Sequence, residues 1–198
     1  MRTLGSVLSV ATYLAGFAAV SCAKPLVYET VSVLSSAPLT TKRVHLFDAG
    51  YGGSCAGYAI LNPHVHLGCR LAVDYWFYHG YDIYGRKVQG ECHTIESASL
   101  SARLVRTTFG HKGTWPTRGF IEVGAGLFHF ARVEGGVFSK ALEQSWRGGF
   151  NVGAGVQLGG RRSLWFEFVP MFHLVQSPAN QPYHYFSAHA GVLLGRTM

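Results

Sequence analysis

The sequence predicts an all-β protein: an eight-stranded antiparallel up-and-down barrel whose strands cross a membrane. Three observations carry this. Residues 118–195 read as four consecutive strands in which apolar and polar or glycine positions alternate, and the face that would meet lipid is nearly free of charge. Side chains alternate with period two on a strand, so each strand sorts its own residues into an exterior and an interior set. An apolar exterior around a polar interior is what a barrel in lipid requires. Only 14% of the residues are charged while 14% are aromatic and 25 are glycine, a composition of strands and turns that excludes disorder. Beyond the N-terminus no stretch approaches the roughly twenty apolar residues of a helical span.

The 198 residues suggest one domain. Residues 1–23 read as an export signal, with Arg2 as the positive n-region, an apolar core from Leu4 to Val20, and small residues at Ser21 and Ala23 that fit cleavage before Lys24. Lipidation at Cys22 is the alternative. Residues 24–42, rich in Ser, Thr and Pro, read as a periplasmic arm, and 43–198 as the barrel. The expected strands are 43–50, 57–66, 71–79, 94–106, 118–132, 146–158, 162–174 and 185–195. The second is interrupted at Asn62-Pro63, since proline cannot donate to a ladder. With the first strand rising from the periplasm, the outer loops are 51–56, 80–93, 133–145 and 175–184. The inner connections are 67–70, 107–117 and 159–161, and both termini are periplasmic.

Alternation then assigns the faces. On the clearest strand Phe150, Val152, Ala154, Val156 and Leu158 point to lipid, while Asn151, Gly153, Gly155 and Gln157 point inward. The same parity sends Leu71, Val73, Leu100, Val123, Phe166 and Leu194 outward. It sends Asp74, Arg103, Glu122, Glu167 and His173 inward. Asp74, Glu122, Glu167 and Arg103 thus share a narrow interior, where buried charges must pair, and an ion-pair plug is expected. A catalytic carboxylate or a proton path is the sharper alternative.

Once the signal is removed, three cysteines remain, Cys55, Cys69 and Cys92. In this topology Cys69 sits in an inner turn, while Cys55 and Cys92 lie in outer loops. Cys55 and Cys92 are therefore the candidate disulfide, and three free thiols are the alternative.

Other chemical signals are weak. His64 and His66 share a strand face but lack an identifiable third ligand, so no metal is expected. Gly124-x-Gly126 and Gly153-x-Gly155 lack the helix that a phosphate loop needs, and no cofactor is expected. The formal net charge of +7 is scattered, with no basic stripe interleaved with stacking groups, which argues against nucleic acid. Anionic lipid head groups at the barrel rims are the better partner for pairs such as Arg161-Arg162.

Two resemblances attach to the second half. Gly119-Phe120-Ile121-Glu122-Val123-Gly124-Ala125-Gly126-Leu127, Phe150-Asn151-Val152-Gly153-Ala154-Gly155-Val156, Leu164-Trp165-Phe166-Glu167 and the closing Ala190-Gly191-Val192-Leu193-Leu194-Gly195 resemble the OmpA-like family of small outer-membrane barrels. That resemblance implies the outer membrane of a Gram-negative-type bacterium, contact with outer-membrane lipid and lipopolysaccharide, and delivery by periplasmic chaperones and the barrel-insertion machinery. The C-terminus departs from the family, ending Gly195-Arg196-Thr197-Met198 rather than on an aromatic. Phe172-His173-Leu174-Val175-Gln176 also resembles the His-x-Ser segment of outer-membrane lipid A deacylases, with His173 at the histidine position. Val175 stands where their serine stands, and no acid follows before Ser187. The resemblance therefore implies shared barrel constraints, with His173 the catalytic residue if the protein is a hydrolase and no catalytic residue otherwise.

Overall fold

The computed structural model describes residues 27–39, 49–77, 91–108, 117–134, 141–159, 165–176 and 182–195. They form β1 (Val27–Pro38), β2 (Gly50–Asn62), β3 (Val65–Phe77), β4 (Glu91–Thr108), β5 (Thr117–Glu134), β6 (Ala141–Gly159), β7 (Trp165–Val175) and β8 (Tyr183–Gly195). Each strand pairs antiparallel with the next, and β1 pairs with β8 to close the barrel. The fold class is the expected one.

The first three strands differ from the sequence reading. The segment read as a periplasmic arm supplies β1, which pairs with both β2 and β8. Its alternation was present, with Thr30, Ser32 and Ser36 inside and Val31 and Val33 outside, but its Ser-rich composition disguised it. Of the strand expected at 43–50, residues 43–48 lie outside the described residues, and Gly50 opens β2. Residues 51–56 are strand rather than outer loop, and 67–70 are strand rather than inner turn. The turn is Pro63-His64, where the Asn62 side-chain oxygen accepts from the backbone N–H groups of His64 and Val65, both at 2.9 Å. An Asn caps a tight turn in this way because its side chain mimics a backbone carbonyl. The signal expected at 1–23 lies outside the described residues.

Burial follows the expected parity. Val33, Leu100, Ile121, Phe150 and Phe168 are exposed outward, and the core is the lumen itself. At the end away from the termini Trp76, Ile95, Phe128, Phe130, Val175, Tyr183 and Tyr185 form one apolar cluster. Nearer the termini, Tyr28, Ala56, Tyr58, Trp165 and Leu193 form another. Glycine lines the wall where a ring needs the room. A Cβ at Gly155 would collide with the Phe120 ring, and one at Gly149 with the Phe128 ring.

The outer face has readable limits. On β4 the outward residues between Glu96 and Arg106 are Ala98, Leu100, Ala102 and Leu104. Ten residues span about 34 Å along a strand, and at the usual barrel tilt this is a band about 25 Å tall, the height of a transmembrane apolar belt. Above it Tyr51 faces Tyr75 across β2 and β3. Beside them His129 stacks on Trp146 and meets the Glu96 carboxylate at 3.3 Å.

Candidate functional site: the charged lumen

Midway along the barrel two arginines and two glutamates meet in the interior. Parity puts Arg70 of β3, Arg103 of β4, Glu122 of β5 and Glu167 of β7 inside, and all four are buried. Arg103 donates from Nε to Glu122 Oε2 at 2.8 Å. It also clamps Glu167 with two bonds, Nη1 to Oε2 at 2.6 Å and Nη2 to Oε1 at 2.9 Å. Arg70 grips the other side of Glu122, Nε to Oε1 at 3.2 Å and Nη2 to Oε2 at 3.1 Å. Two positive and two negative groups leave the cluster neutral. Such planar forks suit Arg and carboxylate, and they satisfy charges that could not be left unpaired in a lumen closed to water.

Aromatic and amide groups complete the cluster. The Arg103 guanidinium lies 3.8 Å from the centre of the Tyr58 ring and 4.2 Å from that of Phe120, held between two π faces. The Tyr58 hydroxyl donates to Glu122 at 2.8 Å, and Gln157 donates to Glu167 at 2.8 Å. The Tyr28 hydroxyl accepts from Arg103 at 3.3 Å and shares a 2.9 Å hydrogen bond with His66 Nδ1.

A chain of hydroxyls and imidazoles continues away from the termini. Arg70 Nη1 approaches Ser54 Oγ at 3.5 Å, Ser54 Oγ meets His189 Nδ1 at 2.9 Å, and His189 Nε2 meets Ser187 Oγ at 2.9 Å. Ser187 Oγ then meets His173 Nε2 at 2.8 Å. Ser187 has one proton to donate and two lone pairs that accept, so it can give its proton to Nε2 of only one of the two rings, His173 or His189. With His189, the buried network takes at least one side chain from each of the eight strands.

Arg103, Glu122 and Glu167 are thus brought together, and Asp74 is not with them. Its Oδ1 accepts from Ser36 Oγ at 2.8 Å, and Ser36 accepts from Trp76 Nε1 at 2.7 Å, under the aromatic cluster. The sequence reading missed Arg70 because it began this strand at Leu71, six residues after Val65 and one after Arg70 itself. Extending the parity of Leu71 back by one would have placed Arg70 inside. It also missed that His173 has a hydroxyl neighbour, Ser187 of β8. Ser187 is only 1% exposed, and His173 stacks flat on Tyr185 with its Nδ1 lacking a partner. An acyl-transfer triad needs an acid at that nitrogen and an open path to the serine. Neither is present among the described residues.

The candidate disulfide is corrected. Cys55 is a free thiol on β2, opposite Leu71 of β3, which is opposite Ala98 of β4. Cys92 lies six residues further along β4, about 20 Å and two strands away. A disulfide needs Cα atoms within about 7 Å. Cys69, expected at the opposite end, is a free thiol on β3, opposite Gly57 and diagonal to Cys55.

No protein-family model and no curated protein matches the chain. Among solved structures, Neisserial surface protein A is similar in fold, with a TM-score of 0.61 over 86% of this chain and 97% of that one at 10% identity. OprG of Pseudomonas aeruginosa aligns with a TM-score of 0.47 over 87% of this chain and 98% of its own at 8% identity. The N-terminal barrel domain of OprF from the same organism aligns with a TM-score of 0.44 over 86% of this chain and all of that one at 18% identity. This chain has the eight-stranded barrel fold of Neisserial surface protein A.

Proposed function

We propose that this chain is an outer-membrane protein of a Gram-negative-type bacterium, exported through a cleaved signal at 1–23, with a structural or surface-interaction role. The observation that carries the reading is the inversion of polarity. A charged, hydrogen-bonded interior lies inside an apolar wall that Glu96 and Arg106 bound at the height of a bilayer core. A soluble ligand-binding barrel would place its apolar residues inside and its charges outside. The fold shared with Neisserial surface protein A supports the outer membrane in particular.

One role follows from what fills the barrel. Charged and aromatic layers occupy the interior, so the chain is an anchor and not a wide pore. Its partners are lipopolysaccharide in the outer leaflet, phospholipid in the inner one, and the chaperones and insertion machinery that the family resemblance implies. The loops at the end away from the termini are where a surface interaction takes place. The test is fractionation of the expressed full-length chain. We expect it in outer-membrane fractions, with heat-modifiable migration on gels and no steady conductance in planar bilayers. A monomer soluble without detergent overturns the reading.

A further inference from the structure

We propose that a groove down the outer wall of β4 and β5 binds one glycerophospholipid of the leaflet nearer the termini, with an acyl chain in the groove and the phosphate on Arg106. The assignment rests on the membrane reading above. Two depressions follow each other along this wall. The upper, of about 500 Å³, is lined by Leu100, Ala102, Val123, Ala125 and Phe150 among others. The lower, of about 430 Å³, is lined by Leu104, Ile121, Gly119 and Arg106 among others. The register makes them one track, with Leu100 opposite Ala125, Ala102 opposite Val123, Leu104 opposite Ile121 and Arg106 opposite Gly119.

Three features specify the occupant. Small side chains at Ala102 and Ala125 line the upper depression, and a Cβ built at Gly119 meets nothing within 4 Å, so the wall beside Arg106 is open. From Leu100 to Arg106 is about 20 Å along the strand and about 15 Å of depth at barrel tilt, just over half of the apolar band and the reach of one leaflet. Arg106 is exposed at the band's edge, and its side chain makes no hydrogen bond or ion pair with another described residue. The outward carboxylate at this end among the described residues, Glu29, lies three strands away on β1. An exposed guanidinium at the foot of an apolar track complements a phosphodiester, which can take two parallel N–H bonds from it. Lipopolysaccharide is excluded by level, since it occupies the opposite leaflet.

The test is native mass spectrometry of the detergent-solubilised mature protein, titrated with phosphatidylglycerol and with diacylglycerol of the same chains. We expect one phosphatidylglycerol to be retained, diacylglycerol to bind at least about tenfold more weakly, and Arg106→Ala to lose that preference. Gly119→Phe fills open space and should weaken both lipids, while Glu29→Gln should change neither. A photoreactive-acyl phosphatidylglycerol reconstituted with the wild type should crosslink to peptides containing 100–106 and 119–125. Equal binding of both lipids by wild type and Arg106→Ala, or crosslinks spread evenly around the barrel, overturns the site and leaves ordinary annular lipid. Failure to enter vesicles at all overturns the membrane reading instead.

Discussion

Removing one carboxylate from the charged lumen should destabilise this protein more than any lipid-facing change of similar size. Glu122 accepts four hydrogen bonds, two from Arg70, one from Arg103 and one from Tyr58, and it is 0% exposed. Glu122→Gln keeps the shape, but it turns a neutral cluster into one with a buried positive charge and aims an amide N–H at guanidinium donors. Breaking a buried pair by removing one partner costs about 3–5 kcal/mol. Arg70→Met on that background removes the surplus charge while leaving Arg103 paired with Glu167. The double variant should recover more than about 1 kcal/mol relative to the sum of the single changes, as coupled neighbours do. Urea unfolding in phospholipid vesicles, followed by tryptophan fluorescence, measures all four corners of this cycle. A Glu122→Gln protein within about 1 kcal/mol of the wild type would falsify the view that these charges hold one another.

The outer wall makes a depth-dependent prediction. Arg at Leu100 or Val152 should cost about 2–4 kcal/mol of folding free energy in vesicles and Arg at Leu158, near the rim, about 1 or less; equal costs at all three would sink the facing. For the cysteines, a lipid-soluble maleimide should label Cys55 and Cys69 in folded protein while a charged one does not, and non-reducing peptide mapping should recover neither in a bond to Cys92. A Gly126→Val barrel should be destabilised by about 1–3 kcal/mol, because its Cβ meets the Ala98 carbonyl of the next strand, whereas Gly119→Ala should be nearly neutral. Comparable unfolding midpoints for the two would contradict the packing described here.

Periodicity carried the second half of the chain because each strand there repeats a single strong pattern, and β5 to β8 and their facing were readable within a few residues. The first half failed where composition competed with period. Ser and Thr alternate with valine across Val27–Pro38, so polar residues read as a lead-in although they line a lumen. Pro63 read as a defect within a strand rather than as the turn between two, and that shift displaced Cys69 and hid Arg70. Arg103, Glu122 and Glu167 could be placed inside by parity alone. Their mutual contacts, the separation of Asp74, and the approach of Ser187 to His173 depend on stagger between strands far apart in sequence, which alternation does not encode.

The buried charges also bear on which barrel this sequence can become. Lipid is indifferent to a strand that slides two residues past its neighbour, since the same face stays outward, whereas a slide of one residue turns every side chain over. Even-numbered slips therefore go unopposed from outside. Inside, such a slip carries a guanidinium about 7 Å along the axis of its strand, clear of its carboxylate, so the interior discriminates among closures that the exterior treats alike. The arginines arrive on β3 and β4 but the second glutamate only on β7. A partly assembled sheet thus carries an unmatched positive charge until its last quarter is in place, which favours completing the circle before the wall is committed to the hydrocarbon.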